Sequence, residues 1–493
     1  MKALLVYPEY PDTFWSFRHA LKFVSRKAAL PPLGLLTVAS MLPKRWKKKL
    51  IDANIRSLRD EDIAWADIVF IGAMIVQSKS AQEIINRCKS LGKTVVAGGP
   101  TFTTQYRKFK NVDHFVLNEA EVTMPLFLRD LAKGKSRHCY SSMIRPDVTK
   151  TPLPDWSLIN FKEYTTMAVQ FSRGCPFNCE FCDIVIMNGR IPRAKKPEQL
   201  IAEMQILYDK GWRGAVFIVD DNFIGNKINV KKMLPLLIEW QKKHKYPFKF
   251  ITEASTNLAD DTELMKQMSI ANFYNVFLGL ETPSLDGLNE CGKFQNVKRD
   301  LTKVVQTIQK HGMQVMGGFI VGFDTDPESI FEAQIKFIQK IGVVTAMVGL
   351  LNAAPKTRLW QRLKKEKRLL AGPSGENTDG SLNFIPKMDK EKLVEGYKRI
   401  LSTIYSKKHY YKRIDTFLKN YQPTVKSKLS LGDVKAFLRS IWRIGILSED
   451  RLMYWRLIIK TLFQKRKAFG TAVEMAIYRQ HFGKIVQRLS IPC

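Results

Sequence analysis

Acidic residues are in short supply in this chain. Across 493 residues, Asp and Glu number 46 against 79 Lys and Arg, a net charge of +33. Surplus Lys and Arg serve nucleic acid, an anionic membrane surface or general solubility, and composition alone does not choose among them. Cysteine is also scarce, with seven in all and three of them between positions 175 and 182. That excludes a disulfide scaffold, and a reducing compartment, the cytoplasm, is expected. Long uncharged runs are missing too. The stretch 343–355 falls short of the roughly 20 residues that span a bilayer, and the apolar start at 1–8 is too short for a signal segment. The 45% hydrophobic content excludes a disordered chain, and the length allows two or three domains.

What is present is a loop. Cys175, Cys179 and Cys182 stand at C-x3-C-x2-C directly after a β-like run at 167–171. Three thiols so spaced can ligate three irons of a [4Fe–4S] cluster and leave the fourth iron open. A zinc knuckle is the competing reading. Structural zinc sites use four ligands in two pairs, and no second C-x2-C pair or H-x3-H follows.

Around that loop the chain falls into four parts. Residues 1–140 alternate β-branched runs (2–7, 49–52, 68–73, 94–98, 113–117) with helical stretches (33–41, 80–91), the pattern of a doubly wound α/β domain that binds ligands at its strands' carboxyl ends. Residues 141–162, with Pro146, Pro152 and Pro154, read as a linker. Residues 163–370 hold six strands (167–171, 215–219, 249–253, 275–280, 314–321, 344–351) with intervening helices, a partial (β/α)6 barrel. Polar residues end several of these strands: Asp220 and Asp221, Glu253, Glu281, and the glycine-rich run that includes Gly318 and Gly322.

Residues 371–493 change character. After a Gly/Pro/Ser/Asn-rich break at 371–379, positions beyond 400 carry 19 Lys and Arg against 5 Asp and Glu. Val434, Phe437, Leu438, Ile441 and Trp442 recur at helical spacing, as do Leu452, Trp455, Ile459, Leu462 and Phe463. Such helices either lie in a membrane interface or dock their apolar stripes on the barrel.

The cysteine spacing, with Phe181 before the last Cys, resembles the radical S-adenosylmethionine (SAM) enzymes. In that family SAM chelates the open iron and is split to a radical that abstracts hydrogen from the substrate. The resemblance implies that Asp221 orients the SAM amine, that Glu253 contacts the ribose or carboxylate, that Glu281 lies nearby, and that Gly318 and Gly322 stand beside the adenine. A flavodoxin-like module ahead of the barrel is similar to the cobalamin-binding class of these enzymes. It implies cobalamin held by Pro32 and Gly34 of a PP-x-GLL segment, by Gly98 and Gly99 of a GGP segment, and by Glu119. This sequence departs from the D-x-H-x-x-G cobalt-ligand motif, with Asn54 in the histidine position, so cobalt without a protein imidazole is expected.

The layout of the whole chain resembles the hopanoid C-2 methylase group, on Phe14-Trp15-Ser16-Phe17, the cluster loop, the V-D-D-N-F-I-G-N run at 219–226, Gly279-Leu280-Glu281-Thr282-Pro283 and Pro355-Lys356-Thr357. The expected activity is C-methylation of an unactivated carbon in a small hydrophobic, lipid-like substrate, with flavodoxin or ferredoxin as reductant and peripheral membrane contact through the basic C-terminal region. The alternative is a radical SAM enzyme acting on tRNA or a natural-product intermediate. Against tRNA, no appended RNA-binding module is visible. Cys88, Cys139, Cys291 and Cys493 read as incidental.

Overall fold

The computed structural model describes residues 1–370, 372–376, 378–424 and 430–489. Cys493 and two positions of the 371–379 break therefore lie outside the described residues.

The first sheet holds six parallel strands, β1 (Lys2–Tyr7), β2 (Lys47–Asp52), β3 (Ile68–Gly72), β4 (Thr94–Gly98), β5 (His114–Val116) and β6 (Cys139–Tyr140). Their order is β2-β1-β3-β4-β5-β6, the flavodoxin-like order extended by one strand. Near-continuous apolar runs form these strands because both faces are covered: Leu4, Val6, Val69, Ile71 and Val95 pack on one side, and Ala3, Leu5, Ile68, Phe70 and Val96 on the other. The two-residue β6 falls where sequence pattern indicates only the approach to a linker.

The second sheet is parallel and in chain order, from β7 (Thr166–Val169) through β10 (Ala215–Ile218), β11 (Lys249–Ala254), β12 (Phe273–Glu281) and β13 (Gln314–Val321) to β14 (Ala346–Leu350). Helices Pro197–Asp209, Lys227–Lys243, Thr262–Ile270, Leu301–Lys310 and Ile330–Ile341 cover its outer face. Side chains alternate along each strand. Outward residues such as Val216, Phe250, Val276, Leu278 and Val348 are fully buried against the helices. The alternate positions, Phe217, Ile251, Glu253, Phe277, Met316 and Met347, are only half-buried and face the lumen of an open six-stranded barrel. A short antiparallel pair, β8 (Ser172–Arg173) with β9 (Arg193–Ala194), brackets the cysteine loop at the mouth.

The C-terminal helices divide into two groups. Lys390–Ile404, Lys407–Asn420 and Phe469–Leu489 share the barrel's own hydrophobic core through Leu393, Tyr397, Ile414, Ala476 and Phe482. Leu431–Ser440, the π-helical turn Ile441–Ile446 and Arg451–Gln464 lie further out. They dock Ala436, Ser440, Ile444, Tyr454, Leu457 and Ile458, and leave Val434, Leu438, Trp442, Leu452, Ile459 and Phe463 exposed. Of the two orientations open to these helices, the recurrent stripe is largely the one turned to solvent, although Phe437 and Ile441 are half-buried.

Candidate active site

The two sheets meet by their carboxyl ends. Glu119, just beyond β5, accepts from Arg173 Nη1 at 2.9 Å and from Arg193 Nη1 and Nη2 at 3.1 and 2.9 Å. Arg173 also pairs with Glu121 at 2.6 Å. Both arginines belong to the β8–β9 pair around the cysteine loop, so one buried carboxylate ties the first sheet to the cluster loop. Lys356, after β14, donates to the carbonyl of Thr103 at 3.5 Å. The space between the two strand-end edges therefore has the cysteine loop on one side and the glycine-rich ends of β3 and β4 on the other.

The loop itself is braced from the end of β10. Asp220 accepts from the amides of Phe171 and Ser172 at 2.8 Å each and from the Ser172 hydroxyl at 2.6 Å. Burial pushes its carboxyl up to about 7. Asp221 Oδ2 accepts from the Gly174 amide at 2.7 Å and from Asn188 Nδ2 at 2.8 Å. Gly174 has φ +101°, and a Cβ there would meet the carbonyls of Ile191 and Gly189 at 2.9 and 3.0 Å, so the turn into Cys175 requires glycine.

The three loop thiols are free. Burial raises the Cys175 and Cys182 thiols above their ordinary range, so thiolates form there only when positive charge compensates. The surroundings provide for that. Asn222 Nδ2 points at Cys175 Sγ and Gln295 Nε2 at Cys179 Sγ, each at 3.7 Å. The Lys293 ammonium, largely buried, pairs with Glu281 at 2.6 Å and feels the charges of Cys179 and Cys182. Donors to sulfur and a fixed cation are what a thiolate-bound iron–sulfur cluster requires of its surroundings, so these residues fit a [4Fe–4S] cluster.

The remaining predicted residues fall as follows. Glu253 faces the lumen beside Asp220 and Asp221; burial first, then repulsion by those carboxylates, pushes it up to about 7. Glu281 stands at a β-bulge with φ +62°, a strained position for a side-chain-bearing residue. Gly318 lies in the lumen wall, where a Cβ would meet the Phe277 ring at 2.9 Å. Gly322 has φ +104° and donates its amide to Asp326 at 2.9 Å. Pro32 precedes helix Leu33–Met41, and Gly34 opens onto free space on its first turn. Gly98 ends β4 and Gly99 follows it; Cβ atoms there would meet the carbonyls of Val116 and Ala73 at 2.7 and 3.2 Å. Asn54 accepts from the Tyr10 amide at 2.8 Å and donates to Asp52 at 2.8 Å. His114 and His138 bond backbone carbonyls at 2.7 and 3.0 Å, and His19 bonds Asp12 at 2.7 Å.

Sequence reasoning missed Lys293 and Gln295, which sit in a loop without periodicity, and Arg193, whose role needs the β8–β9 pairing. It also left Trp15 without a place. Trp15 enters the lumen from the segment after β1, donating Nε1–H toward Met347 Sδ at 2.9 Å and meeting the Phe277 ring edge-on at 5.5 Å. Phe14 beside it stacks on Phe482 at 4.4 Å, closing the barrel's flank.

Comparison with known proteins agrees with this geometry. The radical SAM superfamily profile matches residues 169–338, and that of a domain of unknown function, DUF4070, matches 357–491. An uncharacterised methyltransferase of Synechocystis sp. is 42% identical over 489 residues, covering 98% of this chain and 91% of the relative. The hopanoid C-2 methylase of Rhodopseudomonas palustris is 32% identical over 477 residues, covering 94% and 90%. Among solved structures, the radical SAM methyltransferase TsrM of Kitasatospora setae, with cobalamin and a [4Fe–4S] cluster bound, superposes with a TM-score of 0.65 at 12% identity over 99% of this chain and 98% of its own. The chain is a radical SAM methyltransferase, with the fold of the cobalamin-dependent class. Within that class it belongs to the family that includes the hopanoid C-2 methylase.

Proposed function

We propose that the chain methylates an unactivated sp³ carbon of a polycyclic lipid, a hopanoid at C-2, at the inner face of the membrane. The observation that carries this reading is the junction of the two strand-end edges: a flavodoxin-like crevice opposes the thiol loop, and an apolar lumen opens beside both. When bound, a [4Fe–4S] cluster with SAM supplies hydrogen abstraction, and cobalamin supplies the methyl group.

The chain's own residues position and shield. Cys175, Cys179 and Cys182 are the cluster ligands, and Asn222, Gln295 and Lys293 stabilise their thiolate charge. Asp221 acts through the Gly174 amide, fixing the loop that carries Cys175. Glu253, the Glu281–Lys293 pair and the backbone at Gly318 and Gly322 are assigned to SAM. Pro32, Gly34, Gly98 and Gly99 are assigned to cobalamin, with Asn54 in place of an imidazole, while Glu119 clamps the cobalamin side to the cluster loop. Trp15, Phe277 and Met347 give the lumen an apolar lining suited to a ring system and exclude water from it. A carbon that no base can deprotonate explains the need for radical chemistry.

For the reductant, flavodoxin or ferredoxin, the candidate contact is a hollow of about 300 Å³ against the cluster loop. It is lined by Phe177, Asn178, Phe294, Arg190 and Arg358, basic and apolar groups that suit an acidic electron carrier. Expression in a hopanoid-producing host that lacks its own methylase tests the substrate. A hopanoid heavier by one methyl is expected. Loss of that product with continued SAM cleavage removes the hopanoid from the reading.

A further inference from the structure

The outer helices, Leu431–Ser440 and Arg451–Gln464, carry apolar residues on two faces. The inner face is satisfied: Ser440 and Tyr454 share a hydrogen bond of 2.7 Å, Trp455 Nε1 bonds the Gly445 carbonyl at 3.0 Å, and Leu457 and Ile458 are buried. The outer face is not. Leu431, Leu452 and Phe463 are 82%, 79% and 70% exposed, and Leu438, Trp442 and Ile459 are each more than half exposed. Soluble chains seldom present so many large apolar side chains together without a partner.

Charge selects the partner. Residues 431–467 include nine Lys and Arg against three Asp and Glu. Each of the three acids is engaged: Asp433 caps its own helix at Ser430, Glu449 pairs with Lys407, and Asp450, itself buried, lies 3.8 Å from Arg479. Lys435, Arg451, Arg456 and Lys467 are exposed among the apolar positions. Trp, Leu and Phe interleaved with Lys and Arg match the acyl boundary and the anionic headgroups of a bilayer. Among the described residues no helix is long and apolar enough to cross a membrane, so the contact is one of lying on the surface.

We infer that the outward face of 431–463 is the docking surface, and that it inserts Leu438, Trp442, Leu452 and Phe463 into the interface of an anionic bilayer. This deepens the membrane contact proposed above and rests on it. The face also has a structural link to the lumen. Arg439 donates to the Phe23 carbonyl at 2.9 Å, and helix Arg18–Val24 leads back through Phe17 to Trp15. A docked chain holds its lumen wall one helix behind the bilayer.

The test is flotation of the full-length, cluster-loaded chain with phosphatidylcholine vesicles, with and without phosphatidylglycerol. Binding that requires the anionic lipid and weakens with salt is expected. The Leu438→Ser/Trp442→Ser/Phe463→Ser variant is expected to bind about tenfold more weakly or worse, with iron content and 5′-deoxyadenosine formation unchanged. A Lys435→Glu/Arg456→Glu variant, which leaves the apolar residues in place, is expected to lose the anionic preference. Flotation unaffected by either variant overturns the proposal. So does a wild-type chain that ignores vesicles and instead forms a dimer that the triple variant dissolves, because a second copy then covers the face. Vesicle binding without methylation of any polycyclic lipid overturns the substrate reading and leaves the docking surface standing.

Discussion

Glu119→Gln removes the charge at the junction of the two sheets while preserving shape. The carboxylate, 6% exposed, takes two hydrogen bonds from Arg193 and one from Arg173, all between 2.9 and 3.1 Å. Charge-assisted bonds contribute about 1.5–3 kcal/mol each. Arg173 keeps Glu121, whereas the other acceptors of Arg193 given by the described residues are the carbonyls of Pro146 and Asn188. The variant therefore leaves Arg193 without a carboxylate, and also Arg145, whose Nη1 lies 3.5 Å from Glu119 and which otherwise donates to the carbonyls of Met187 and Ile186. The cost is about 3 kcal/mol, the lower end for breaking a buried pair. The assay is a double-mutant cycle with Arg193→Met, read from the first urea transition of the cofactor-free chain. A coupling energy of about 2 kcal/mol is expected. Additivity to within about 0.5 kcal/mol would show that the two residues act independently, and would refute the clamp.

Three further outcomes follow from the site. Lys293→Gln removes the fixed cation near the thiolates, and the cluster's midpoint potential in a spectroscopic redox titration becomes more negative by tens of millivolts; an unchanged potential removes Lys293 from the cluster's electrostatics. Gly318→Val drives a side chain into the Phe277 ring beside the backbone assigned to SAM, so 5′-deoxyadenosine formation and methylation drop together by about tenfold or more; unchanged SAM cleavage removes Gly318 from the SAM site. Glu253, held near 7 against an ordinary 4.5, keeps its proton more tightly folded than unfolded. Its contribution to stability is full below about 4.5 and is lost as the pH rises through about 7. Glu253→Gln flattens the fall in thermal midpoint across that window, and a variant with the wild-type slope refutes the assignment.

Much of the fold was legible because the first sheet's strands are buried on both faces, because the second sheet's strands are apolar toward the helices and largely apolar toward the lumen, and because the cysteine loop is contiguous. β6 was not legible, since two residues carry no period. Lys293 and Gln295 were hidden for a different reason: a polar loop looks solvated until the cysteine loop is folded against it through the Glu180–Cys291 backbone bond of 2.7 Å. Glu119 drew attention only through its place in a segment resembling the cobalamin-binding class, and its pairing with Arg173 and Arg193, more than fifty residues away in sequence, was out of reach. The C-terminal helices showed their apolar stripe plainly. Its direction could not be read, because the docked side is also apolar, with Ala436, Ile444, Leu457 and Ile458 buried.

The most direct measurement is an anaerobic single-turnover experiment on the chain reconstituted with cluster and cobalamin, given SAM labelled with deuterium in its methyl group, a strong reductant and a hopanoid. The expected result is 5′-deoxyadenosine together with a lipid that gains the labelled methyl at a carbon bearing no acidic hydrogen. SAM cleavage with cobalamin in place but no label in any polycyclic lipid would contradict the proposed function.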